Sequence, residues 1–165
     1  GFEDLYLINA ESHDFDSENK YENFDASVQF FSYKMSKNWH RDLNVDIINP
    51  EFKGLVYDYE SFVKEKTYLQ DFDYTLYRTV LPSWDNTART MSKAIIFNNS
   101  SPELYKEWLT NVMEYTKKNY SEDNQFVFLH SWNEWAEGAH LEPDRKYGFA
   151  YLASTLDAIE EQRKK

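Results

Sequence analysis

Short apolar runs recur along the chain, most of them followed by a stretch in which apolar residues return every three or four positions. Residues 4–8 (DLYLI) and 54–59 (GLVYDY) read as strands, and residues 59–69 as an amphipathic helix after the second. Residues 74–80 (YTLYRTV), rich in β-branched and aromatic side chains, predict a third strand. The run 93–99 (KAIIFNN) leads to a helix start with Ser101 as N-cap and Pro102 at the first helical position. Beyond it Leu104, Trp108, Val112 and Tyr115 fall on one face. Residues 126–129 (FVFL) suit a strand buried on both sides of a parallel sheet. A last helix over about residues 147–163 runs into Arg163, Lys164 and Lys165, charges that suit a helix C-terminus. Between these elements, residues 14–25 have the acidic composition of a solvated loop. Residues 28–33 fit either a short strand or a helical turn, and residues 34–50 look irregular, with a turn at Asn49-Pro50.

Strands alternating with helices mean βα units and a parallel sheet. No glycine-rich phosphate loop follows any strand, so neither a dinucleotide fold nor a P-loop is supported. Three strand ends, at residues 57–59, 83–89 and 131–137, carry the distinctive aromatic and polar residues. That is the habit of a (β/α)8 TIM-type barrel, whose function sits at the C-terminal face of the strands. A full barrel takes about 250 residues, and this chain has 165. It is therefore expected to form a single domain, residues 1–165, that is the C-terminal half or so of a larger barrel whose N-terminal part is missing. Such a piece has open sheet edges.

Composition narrows the partners. With 41% hydrophobic residues and 18% aromatic, the chain has the makings of a real core. The aromatic richness fits an aromatic core, an aromatic-lined cleft, or both. The net charge of −11 speaks against a phosphate-tracking nucleic-acid surface and against anionic membranes. A neutral or cationic sugar suits it better. There is no cysteine, which excludes disulfides, thiolate metal sites and cysteine nucleophiles. No run approaches the ~18 apolar residues of a membrane span, so no membrane insertion is expected. The chain opens at Gly1 without a signal peptide, which leaves localisation undecided with the cytoplasm favoured.

The richest stretch is residues 126–144, FVFLHSWNEWAEGAHLEPD. The apolar run ends in His130, Ser131, Trp132, Asn133, Glu134, Trp135 and Glu137, after which Gly138 frees the backbone. Aromatic faces stack on pyranose rings, and paired carboxylates are what glycosidic chemistry uses. The Glu134/Glu137 pair alone says little, since about five acidic pairs at this spacing arise by chance in so acidic a chain. Its context singles it out: a strand end, Trp132 and Trp135, a glycine, and a second acidic group at Glu142 and Asp144. In a helix-like turn the two carboxylates share one face, whereas in an extended strand they point apart. Asn133, Glu142, Tyr59, Trp84, Asp85 and Arg89 are candidates to line the same cleft. Arg89 would clamp an anionic group or form a surface ion pair. His130 and His140 lack partners at metal spacing and read as ordinary hydrogen-bonded histidines, so no metal and no cofactor is expected. No serine-hydrolase pattern occurs.

The stretch W-N-E-W-A-E-G-x-x-L-E-P-D, followed by Tyr147-Gly148 and Tyr151-Leu152, resembles the signature of the glycoside hydrolase family 99-like (WbsX-type) domain. Tyr57-Asp58-Tyr59-Glu60 and PSWDNTAR at residues 82–89 support it, so the resemblance covers about residues 53–155. In the first 49 residues Gly1-Phe2-Glu3 looks like the start of the family's mid-barrel strand, while Ile8-Asn9-Ala10-Glu11 departs from its pattern. Members of that domain often accompany bacterial polysaccharide and lipopolysaccharide biosynthesis, and many are labelled glycosyltransferases. The family 99 hydrolases, endo-acting α-mannosidases, carry a related W-x-E-W-x-E-G motif. The resemblance implies a barrel fold and a carbohydrate substrate. By motif position it implies that Glu134 assists attack by the substrate's own 2-hydroxyl and that Glu137 is the acid/base at the leaving oxygen. Three classes stay open: a hydrolase, a glycosyltransferase using a sugar nucleotide, and a non-catalytic glycan-binding module. The D-x-D spelling of metal-dependent transferases occurs at Asp14-Phe15-Asp16 and Asp71-Phe72-Asp73, both in polar loops.

Overall fold

The computed structural model describes residues 4–11, 23–29, 41–42 and 44–164. Gly1-Phe2-Glu3, the Asp14-Phe15-Asp16 spelling, most of the acidic loop, residues 30–40, Leu43 and Lys165 lie outside the described residues.

Two segments pair beside a third to make a parallel sheet. Strand β1 (Ile8–Glu11) runs parallel to β2 (Ala26–Gln29) with Ile8 opposite Ala26, and β2 runs parallel to β4 (Leu76–Tyr77). After Arg78 the same chain run continues as β5 (Thr79–Val80), which pairs in parallel with β7 (Phe128–Leu129). The run 76–80 thus carries the pairing from β2 on one side to β7 on the other. A separate parallel pair joins β3 (Leu55–Asp58) to β6 (Ile95–Asn98) in full register. Mixed α/β architecture with parallel strands is as expected, but β3 does not enter the sheet with β4. Strand β6 is instead tied to the loop after β5, where the Phe97 N–H donates to Trp84 O at 2.8 Å.

The first strand is also displaced from its expected place at residues 4–8. Of that run only Ile8 enters the strand register with β2; Leu7 O still accepts from Ala26 N–H, but Leu5, Tyr6 and Leu7 remain exposed ahead of it. There the Asp25 side chain accepts from Leu7 N–H at 2.7 Å and the Asp25 N–H donates back to Leu7 O, closing the pair at its entry.

The helices follow local chemistry. Helix α1 (Tyr59–Glu65) starts at Asp58, whose carboxylate accepts from Ser61 N–H at 3.0 Å. Burial pulls that carboxyl upward, but hydrogen bonds from Ser61 and Asn99 outweigh it and leave Asp58 below its ordinary range. The helix stops short of the expected residue 69, because Lys66 turns left-handed at φ 55° and a 3₁₀ turn follows over Thr67–Leu69. A single turn, α2 (Thr87–Thr90), precedes β6. Helix α3 (Pro102–Asn119) begins as read, with Ser101 Oγ accepting from Leu104 N–H. Helix α4 (Ala150–Arg163) starts three residues later than expected, because Asp144 Oδ1 captures the Lys146 and Tyr147 N–H groups and holds residues 144–148 in a turn.

The core lies between the β3–β6 pair and helices α1, α3 and α4. Trp108 is fully buried at its centre, with ring centroids of Phe62 at 4.9 Å, Tyr68 at 5.4 Å and Tyr59 at 5.7 Å. Tyr105 joins α3 to α4, its ring 5.5 Å from Tyr151 and its hydroxyl 2.9 Å from Thr155 Oγ1. Burial pushes the Tyr105 phenol up to about 12. Among the described residues no helix is long and apolar enough to cross a membrane.

Candidate functional site

Strand β7 delivers the chain to the site, with His130 N–H donating to Val80 O at 3.0 Å just past the strand. The chain then folds into a hairpin of β8 (Asn133–Glu134) and β9 (Ala139–His140), which pair antiparallel. Ser131 pins the hairpin from below: its Oγ donates to Ala139 O and accepts from Glu134 N–H. The tip is a 3₁₀ turn over Trp135–Glu137, closed by Gly138 at φ 59°. The helix-like turn expected for residues 134–137 is thus present from Trp135 onward, while Glu134 sits in the strand that enters it.

Glu137 is the centre of the arrangement. Arg89 Nη1 donates to Oε1, and His130 Nε2 lies 3.4 Å from Oε2, so both carboxylate oxygens face a nitrogen. The Glu137 and His130 side chains are only 16% and 17% exposed, whereas Arg89 is 55% exposed and closes the pair toward solvent. Behind His130 the buried Trp84 ring stands 5.8 Å away, centroid to centroid. Asp85 fixes the Arg89 side of the site. Its N–H donates to Glu137 O at 2.8 Å, and its Oδ1 accepts from Thr87 N–H at 2.9 Å, tying down the first residue of the turn that carries Arg89. The Glu134 carboxylate forms no hydrogen bond to a described residue, and Glu137 is held by Arg89 and His130 instead of by Glu134.

A second cluster holds Trp135. Its ring lies flat on His140 at 3.7 Å and 15°, and its indole N–H donates to Glu142 Oε2 at 2.6 Å. His140 in turn lies 3.3 Å from Asp144 Oδ2. Burial would raise the Asp144 carboxyl, yet the Tyr147 and Lys146 N–H groups and His140 together bring it below its ordinary range. Trp135 therefore keeps one aromatic face open with its orientation locked, while Trp132 and Asn133 stand exposed on the same hairpin.

Of the residues singled out from sequence, Glu137, Arg89, Asp85 and Trp84 meet at one place, and Trp135 and Glu142 meet at the other. Tyr59 does not join them: it is fully buried in the core, where its hydroxyl donates to Leu81 O at 2.6 Å. Burial pushes its phenol well up, as an apolar environment disfavours the phenolate. His130 and His140, expected as ordinary hydrogen-bonded histidines, each face a carboxylate of the site loop, Glu137 and Asp144. The signal available for His130 was its place, the first residue past a buried strand. Among the described residues no group of three or more histidine, aspartate and glutamate side chains could hold a metal ion.

The sequence model described as Glycosyltransferase WbsX matches residues 1–155. The chain belongs to the WbsX family. The match takes in the whole hairpin, the Arg89 turn and Glu142. Two curated relatives named "Uncharacterized protein WxcX", from Xanthomonas campestris pv. campestris strains B100 and ATCC 33913, are each 38% identical over 136 residues. That alignment covers 82% of this WbsX-family chain but 19% of each relative, so the chain spans about a fifth of their length. A solved structure titled "Glycoside hydrolase-like protein" superposes with a TM-score of 0.53 at 17% identity, over 94% of this chain and 44% of that one. The WbsX-family chain thus shares a glycoside hydrolase-like fold.

Proposed function

We propose that this chain is the C-terminal part of a (β/α)8 barrel in a carbohydrate-active enzyme that makes or breaks glycosidic bonds, with Glu134 and Glu137 as its catalytic carboxylates. The observation that carries the reading is the Glu137 carboxylate, held from both sides by Arg89 and His130 at the end of β7, beside two exposed tryptophans. A strand end bearing a fixed carboxylate and open aromatic faces is the arrangement a glycosidic site uses. Arg89 and His130 orient Glu137; Glu134, whose carboxylate has no competing bond to a described residue, stays available to the substrate. Trp132, Trp135 and Asn133 form the sugar-facing surface, with Glu142 holding the Trp135 ring. The four parallel-paired segments β1, β2, β4–β5 and β7 would be half of the barrel strands, and the remainder would come from the rest of the polypeptide.

A hydrolase is supported by the glycoside hydrolase-like fold and the glutamate pair, and a transferase by the family's description. One experiment separates them. The full polypeptide and its Glu137→Gln variant are incubated with neutral α-linked oligosaccharides, and separately with sugar nucleotides plus an acceptor, and products are followed by mass spectrometry. Cleavage lost in the variant supports the hydrolase, and donor-dependent extension lost in the variant supports the transferase. Glycan binding with no turnover by either protein would leave a binding module and refute the catalytic pair.

A further inference from the structure

Next to the Asp85–Gly138 contact lies a hollow of about 630 Å³, within the roughly 300–1,000 Å³ range of ligand pockets. Trp84 and Phe97, both buried, lie at its base. Tyr147 forms a side wall, with Lys146 Nζ 4.5 Å above its ring centroid. The lining is mostly polar and carries two acids, Glu60 and Asp85, and one base, Lys146.

The amides of Asn98 and Asn99, at the C-terminal end of β6, make this hollow more than a gap. Asn99 Nδ2 donates to Asp58 Oδ1 at 2.8 Å, and Asn98 Nδ2 donates to Asp42 Oδ2 at 3.0 Å. Each amide plane is thereby fixed. Each keeps a carbonyl oxygen and a second N–H with no bond to a described residue, an acceptor and a donor side by side. A pair of neighbouring sugar hydroxyls offers the complementary donor and acceptor. Asn99 is held at φ 62°, a conformation asparagine tolerates better than most side chains. Groups oriented before the ligand arrives lose less freedom on binding. Two acids against one base disfavour a phosphate or a uronate.

We infer that this hollow is a second sugar subsite, taking one uncharged pyranose unit joined to the unit that sits at Glu137. The inference rests on the carbohydrate reading of the Glu137 site: Gly138 and Asp85 border both places, so units bound in them are neighbours.

The test uses the full polypeptide and isothermal titration with neutral α-linked mono-, di- and trisaccharides of mannose, glucose and galactose. Asn99→Gly keeps the left-handed backbone and removes the amide. Glu60→Trp, at an exposed position in the first turn of α1, fills the rim. Melting temperatures within a few degrees of wild type certify both folds. The expected result is at least a tenfold gain in affinity from mono- to disaccharide in wild type, with the gain reduced to less than threefold in both variants. Monosaccharide affinity should stay within about twofold. A gain that persists in both variants overturns the subsite, and so does the absence of any gain, including absence of binding across the panel. Glu137→Gln distinguishes the two readings: turnover unchanged in that variant with the disaccharide gain intact would refute the catalytic pair and leave the subsite standing.

Discussion

Replacing Gly138 by alanine tests the packing that brings Glu137 to Arg89. Gly138 has φ 59°, where an L side chain is strained, at a penalty of about 1–2 kcal/mol. An added Cβ would also lie 3.0 Å from Asp85 N, 3.2 Å from Asp85 O and 3.3 Å from Asp85 Cβ. That backbone cannot easily withdraw, because Asp85 N–H donates to Glu137 O and Asp85 is bridged to Ile96. Forcing a methyl group into such a contact adds roughly 1–3 kcal/mol, so Gly138→Ala should destabilise by about 2–5 kcal/mol in all. Gly148 supplies the control. Its φ of 56° brings the same backbone strain, yet nothing lies within 4 Å of its added Cβ, so Gly148→Ala should lose only about 1–2 kcal/mol. Urea unfolding of the full polypeptide, followed by tryptophan fluorescence, measures both. Equal losses within about 0.5 kcal/mol, or a larger loss at Gly148, would refute the argument that the Asp85 backbone is an unyielding neighbour.

Two further outcomes follow from burial and charge. Trp108→Ala should cost about 3–5 kcal/mol in the same assay, since its ring touches Phe62, Tyr68 and Tyr59 at the centre of the core; a loss under about 1 kcal/mol would contradict that placement. Asp144, held below its ordinary range in the folded chain, contributes stability that is present above the ordinary aspartate value near ~3.9 and is lost as pH falls through its lower folded value. Asp144→Asn should therefore flatten the acid limb of the stability–pH curve, and a limb of unchanged steepness would sink this assignment.

Much of the secondary structure was legible because it rests on local chemistry. Ser101-Pro102 marked the start of α3, and the β-branched run at residues 74–80 marked β4 and β5. The register of β1 was not legible, because Ile8–Glu11 is chosen by its partner at Ala26–Gln29 and not by its own composition. Nor was the sheet to which β3 belongs: an apolar run looks the same whether its neighbour is β4 or β6. The same limit applies at the site. Residues 126–144 announced themselves through tryptophans and acids within one short loop. The partners of Glu137 come from 48 and 7 residues away in sequence; only the former, Arg89, was singled out beforehand. Tyr59 was misplaced because a tyrosine at a strand end reads alike whether its ring turns to the cleft or to Trp108.

The most direct test of the account is the turnover of the full polypeptide with Glu137 changed to glutamine, which keeps the side chain's shape and removes its charge. The account predicts that glycosidic cleavage or transfer falls by at least about 1,000-fold, by analogy with the loss of a general acid–base group, while glycan binding and melting temperature stay near wild type. Turnover within about tenfold of wild type would contradict the claim that the carboxylate held by Arg89 and His130 carries the chemistry.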